Sequence, residues 1–206
     1  MVRLSSATFV LSLLLSLLSP RPAAASLEDS ALLDPQESVI GFTVYAQMLF
    51  KVKEEGRFRQ FSGQVGYDPD RPADTHVDLT VYTATVDMHN AEHDAMLKSP
   101  GFFDVERFPT MRFVGASTAV RPNGGLDVTG DLTIRGITRR VTVPVVISQV
   151  PGRNAGSRFE TTFQIDRTDF GLNGPAKMAG LSVSIAKNVR IHLALALRSL
   201  VGPAGR

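Results

Sequence analysis

The stretch "GLDVTGDLTIRGITRRVTVPVVIS", Gly125–Ser148, decides the fold class. In its first run Leu126, Val128, Leu132 and Ile134 oppose Asp127, Thr129, Asp131 and Thr133. In its second run Ile137, Val141, Val143, Val145 and Ile147 share one face. A period of two is the pleat of a half-buried β-strand. The connection is too short for anything but an antiparallel pair. Pro144, which has no N–H to donate, marks an edge, a bulge or a non-donating position.

The same period extends in both directions. Upstream, Ile40, Phe42, Val44, Ala46, Met48 and Phe50 alternate after a polar lead-in, "SLEDSALLDPQE", and "KEEG" reads as the turn that follows. Phe61, Val65 and Tyr67 form the next apolar face, then Val77, Leu79 and Val81, then the strand "TMRFVGASTAV" and the turn "RPNGG". Downstream, Phe159, Phe163 and Ile165 precede a long Gly-rich loop, "DRTDFGLNGPAKMAG", and a last strand runs from about Leu181 to Leu197. "NAEHDAMLK" is the one good helical stretch. It lacks β-branched residues, has Asn90 or Asp87 as N-cap, and stops at Ser99-Pro100-Gly101. The result is all-β: about eight mostly antiparallel strands, with one short helix between the third and fourth. Periodicity alone leaves a sandwich and a barrel both open.

The chain opens with Arg3, an apolar run "ATFVLSLLLSLL" and Ala23-Ala24-Ala25, the pattern of a cleaved secretory signal peptide over residues 1–25. Export is therefore expected. Removing 25 of 206 residues leaves 181, enough for one domain over residues 26–206. The 22 basic residues lose Arg3 and Arg21, which leaves 20 against 20 acidic ones. The basicity thus belongs to the leader and gives no support for nucleic-acid binding. With no cysteine there is no lipoprotein anchor, thiol nucleophile or thiolate metal site.

Few stretches suggest catalysis. "VDMHNAEHDAM" holds His89, Glu92 and His93 in the order H-x-x-E-H, a zinc-hydrolase spacing. Two histidines four apart converge only inside one helix, and His89 directly follows a strand. The remaining histidines, His76 and His192, fall on outward strand faces, so a third ligand is not in view. There is no G-x-S-x-G elbow, and "GDLTIRG" lacks the strand-turn-helix context of a phosphate loop. Phe102, Phe103, Phe108 and Phe113 cluster after a Pro-Gly turn, as ordinary core or as the wall of an apolar tunnel. In "DRTDFG", Arg167 and Asp169 form a loop-fixing salt bridge, or Arg167 or Lys177 receives an anionic head group.

Three stretches in this order, "LKSPGFFDVERFPTMRF", "GDLTIRGIT" and "RTDFG", resemble the YceI family, and the likeness runs from about Ser38 to Leu197. The chain departs from the family's pattern at Glu37 and Ala46, where members often have histidines, and at His93, where many have arginine. The resemblance implies an eight-stranded, lipocalin-like antiparallel β-barrel with an internal apolar tunnel. It also implies an exported, periplasmic protein that binds isoprenoid chains such as polyprenyl phosphates or quinone tails, with no catalytic reaction and no cofactor. The tunnel wall would come from Phe42, Val44, Phe61, Leu79, Val81, Phe113, Leu132, Val141, Phe163, Phe170, Val183 and Ile185, with Met96, Phe102, Phe103 and Phe108 towards an end. Arg167, Asp169 and Lys177 are the head-group candidates. Expected partners are an isoprenoid or other long-chain lipid, a membrane cytochrome b561-type protein, beside which related domains occur, and a second copy as homodimer. The competing readings are a zinc-dependent hydrolase using residues 89–93 and a ligand-free structural or stress-response barrel.

Overall fold

The computed structural model describes residues 30–47, 50–150, 156–174, 176–178 and 181–198. The leader, Met48 and much of the loop after Val150 lie outside these residues.

The strands assemble into eight staves, several of them interrupted. The first is β1 (Ser30–Leu33) and β2 (Val39–Gln47) in succession. The second is β3 (Lys51–Phe58) and β4 (Phe61–Gly66), broken at Arg59 and Gln60. The third is β5 (His76–Tyr82) and β6 (Val86–Asp87), broken by a 3-10 turn at Thr83–Thr85. Helix α1 (Ala91–Lys98) follows, and then β7 (Thr110–Val120), β8 (Leu126–Ile134), β9 (Ile137–Val150), β10 (Gly156–Asp166) and β13 (Asn188–Arg198). A small hairpin, β11 (Ala176–Met178) and β12 (Leu181–Ile185), is attached to β2. Among the described residues every pairing is antiparallel. Because β1 bonds to both β4 and β13, the sheet closes on itself, and the eight-stranded barrel with one helix stands.

Four local readings need correction. The "KEEG" turn is strand: β3 pairs with β2 from Gln47↔Lys51 to Ile40↔Phe58, and ladder bonding overrides the turn-like composition. Gly56 is needed there because a Cβ would fall 2.4 Å from the Phe42 ring. The polar lead-in contains β1, whose Leu33 is buried in the core. The Gly-rich loop contains β11. The last strand is two, β12 and β13, both running along β2 through Ile185↔Ala46 and Arg190↔Thr43.

The inward rows are the alternating apolar rows of the sequence. Ile40, Phe42, Phe58, Phe61, Val65, Leu79, Val81, Leu126, Val128, Val143, Val145, Phe159 and Leu195 form one buried cluster. Phe50, by contrast, is exposed at the β2–β3 tip. On the outer face His192 covers Gly41 and His76 covers Gly66, each across its strand pair, so both imidazoles shield backbone from water. β9 pairs with β10 only from Val146 onward, so Pro144 lies where that side of β9 has no strand partner. Below it the 3-10 turn Arg167–Phe170 packs Phe170 against Ile134 and Ile137.

Candidate functional site

The inward side chains do not fill the barrel. Two chambers, each with a cavity volume of about 120 Å³, occupy its interior. Ile40, Met111, Ile134, Ile165 and Ile191 border both, so they are halves of one interior divided by that belt. Side chains such as Val65, Val77, Leu126, Val143, Val145 and Phe159 wall the first. The second lies under α1 and the aromatic turn that follows it.

Asn90 starts α1 by accepting hydrogen bonds from the backbone N–H groups of Glu92 and His93. His93, Met96 and Leu97, at i, i+3 and i+4, form the face that borders the second chamber. The chain then folds back, with the Phe103 N–H donating to the Leu97 carbonyl at 2.9 Å. The Phe103 ring meets Phe58 edge-on at 5.5 Å, and Phe58 meets Phe42 at 5.8 Å. Arg135, at a left-handed φ of 51° in the β8–β9 turn, holds this cap in place. Its Nη1 donates to the carbonyls of Pro100, Phe102 and Gly171, which ties the aromatic turn to the turn after β10.

The sequence-derived wall divides between the chambers. Leu79, Val81, Phe113, Leu132 and Phe163 border the first, and Phe42, Val44, Met96, Phe102, Phe103 and Ile185 border the second. The others lie elsewhere. Phe61 is buried within the core cluster, and Val141 and Val183 pack half-buried against the apolar clusters. Phe170 is buried beside Phe102 and Leu172, behind the wall. Phe108 is outside the interior, beneath the guanidinium groups of Arg107 and Arg135 at 5.2 Å and 5.7 Å.

Arg167 borders the second chamber, as a head-group residue would, but it has a structural duty as well. Between β12 and β13 the strand is interrupted, and Arg167 fills the break. Its Nε donates to the Ala186 carbonyl at 3.1 Å, Nη2 to that of Ile185 at 3.0 Å, and Nη1 to that of Leu172. Burial lowers its pKa from the usual arginine value, and nearby Asp166 opposes that effect. The expected Arg167–Asp169 salt bridge does not form. Asp169 is exposed, and Asp166 caps the turn instead, accepting from the N–H and hydroxyl of Thr168. Lys177 has its backbone in β11, and its side chain lies outside the described residues.

The H-x-x-E-H spacing does not make a centre. His89 sits before the helix, at a φ of 54°, with its side chain 68% exposed. His93 turns the other way, 12% exposed, with Nδ1 3.8 Å from Glu54 Oε2. Among the described residues no three His, Asp or Glu side chains are grouped to hold a metal. The stretch serves as an anchor. Asp87 accepts from Arg57 Nε at 3.0 Å and from the His89 N–H at 3.1 Å, and pairs with Arg59 at 3.0 Å. The Arg57 hydrogen bond first, then the His89 N–H and the Arg59 charge, lower its pKa to about 2. Asp94 ties the helix back by accepting from the Met88 N–H at 2.7 Å.

Two polar features of the interior escape the sequence reading. Glu54 borders the second chamber, on the inward row Val52, Glu54, Gly56 and Phe58. It is hidden in sequence because "KEEG" has the composition of a turn. Thr161 stands between Phe159 and Phe163 on the inward row of β10 and borders the first chamber. Its Oγ1 is buried with no hydrogen-bond partner. The signal for Thr161 is visible, one hydroxyl in an apolar row.

The YceI-like domain profile matches residues 32–197. A UPF0312 protein of Shewanella denitrificans is 35% identical over 127 residues, 59% of this chain and 66% of that protein, so the match spans just under two thirds of its length. A UPF0312 protein of Vibrio vulnificus is 32% identical over 137 residues, 62% of this chain and 72% of that protein. In three dimensions the chain is similar to BcnA of Burkholderia cenocepacia, with TM-score 0.68 and 26% identity over 80% of this chain and 98% of the other. It also shares its fold with a polyisoprenoid binding domain from Saccharophagus degradans, with TM-score 0.61 and 15% identity over 83% and 98% of the two chains.

Proposed function

Because this chain belongs to the YceI-like domain family, we propose that it is an exported, non-enzymatic protein that sequesters or carries one isoprenoid-type apolar chain inside its barrel. The observation that carries this reading is the apolar barrel interior, two chambers that meet at one shared belt of side chains. A chain of about twenty carbons, at about 0.8 kcal/mol per methylene, offers on the order of 15 kcal/mol. Association costs about 4–15 kcal/mol, so burial of a chain this long supports binding without a strong polar contact. The same open interior counts against a barrel filled by its own side chains.

The Glu54, His93 and Arg167 side chains that border the second chamber support reading it as the head-group end. The leader-like residues 1–25 support export, the family resemblance adds the periplasm as destination, and a polyprenyl or quinone-type chain is the cargo that suits the apolar interior. A membrane cytochrome b561-type partner and a homodimer belong to the same proposal, on the strength of the family resemblance alone. Organic extraction of the purified protein followed by mass spectrometry is the test. Recovery of one isoprenoid class near one mole per mole supports the reading. Repeated recovery of none, together with failure to take up an added isoprenoid, sinks it.

A further inference from the structure

We infer that the second chamber selects a hydroxyl-bearing head group, an alcohol or a quinol, over a phosphate or carboxylate, and that Glu54 and His93 make the choice. This rests on the lipid-binding reading and deepens it. Glu54 projects from the inward row of β3 into a wall otherwise made by side chains such as Phe42, Val44 and Met96. It is 21% exposed, and its one described side-chain partner is the His93 ring, with Oε2 3.8 Å from Nδ1. That separation is too long for a direct hydrogen bond. The carboxylate therefore has accepting capacity to spare, and the ring is not committed to it. A hydroxyl oxygen about 2.8 Å from each atom fits between them, donating to Glu54 and accepting from a His93 N–H. A carbonyl could use only the imidazole.

The arginine beside them does not reverse this preference. The Arg167 side chain already donates to the carbonyls of Ala186, Leu172 and Ile185. Those bonds hold the β12–β13 break, and an anion would have to compete with them. The register places the carboxylate at the same end of the chamber. On β2, Val44 stands opposite Glu54, and Ala46 stands opposite Ile185, whose carbonyl receives Arg167. An anionic head group entering here meets a carboxylate across a low-dielectric, apolar wall, where repulsion between like charges is strong.

The test uses three probes with the same twenty-carbon isoprenoid chain: geranylgeraniol, geranylgeranyl phosphate and the parent hydrocarbon. Each is titrated calorimetrically into the purified protein stripped of lipid. The alcohol is expected to bind about tenfold more tightly than the phosphate. Glu54→Gln, which keeps the shape and removes the charge, is expected to bring the two within about threefold by strengthening the phosphate. His93→Phe, which removes the ring N–H, is expected to weaken the alcohol and leave the hydrocarbon unchanged. Equal or tighter binding of the phosphate overturns the inference alone, as does an unmoved ratio in folded Glu54→Gln. If that variant does not fold, the ratio in the unaltered protein still decides. If none of the three probes binds, the lipid-binding reading falls and this inference falls with it.

Discussion

Thr161 shows how much one atom can say inside an apolar barrel. Its neighbours along the inward row of β10 are Phe159, Phe163 and Ile165, and its Oγ1 has no partner. A buried hydroxyl without a hydrogen bond destabilises the fold that contains it. Thr161→Val keeps the shape and removes the unpaired oxygen. It is expected to stabilise the lipid-free protein by about 1 kcal/mol, read as a higher midpoint in urea. Phe108 carries the opposite lesson. Its sequence position among the aromatics suggests a tunnel wall, yet two guanidinium groups hold it on the outside.

Arg167 belongs to the scale of the element, because it completes a strand that the backbone leaves broken. Three carbonyls at and near the β12–β13 junction depend on its planar fork. Arg167→Ala is expected to cost about 2–4 kcal/mol of stability in a denaturant titration, and Arg167→Lys to restore little of it, since an ammonium cannot reproduce the fork. Asp87 joins β6 to β3 through Arg57 and fixes the approach to α1 through the His89 N–H. Its folded pKa, about 2, is depressed. Its contribution is therefore fully present above the unfolded value of about 3.9 and is lost as pH falls through the folded one. Urea midpoints should drop between about pH 4 and pH 2. Asp87→Asn should be less stable at neutral pH and should flatten that part of the acid limb. An unchanged limb would show that other carboxylates govern it.

At the scale of the whole molecule the question is whether one ligand threads both chambers. Ala46 borders only the second and Val77 only the first. If a single long chain passes the isoleucine belt, Ala46→Phe and Val77→Phe should each lower the lipid recovered by extraction several-fold. If the ligand occupies one chamber, only one of the two variants will. Circular dichroism separates this from misfolding, because overpacking a well-filled site costs about 1–3 kcal/mol, whereas a side chain growing into open space costs less.

The sequence by itself determined most of the long strands, the faces they bury and the short helix. Each of these is local: a period of two fixes which side of a strand meets the core, and Asn90 with Ser99-Pro100 brackets the helix. The family resemblance narrowed the architecture to a barrel, which periodicity could not separate from a sandwich. What only the tertiary structure decided depends on partners distant in the chain. Closure by β1 requires Leu32 to meet both Gln64 and Arg198. The "KEEG" segment became strand because residues 42–45 of β2 lay opposite it within an eight-pair ladder, and that pairing turned Glu54 inward. His89 and His93 separated because one precedes the helix and the other faces the chamber. The interior stayed open for the same reason, since the space between walls is set by how many staves close the sheet, and no single strand encodes that number.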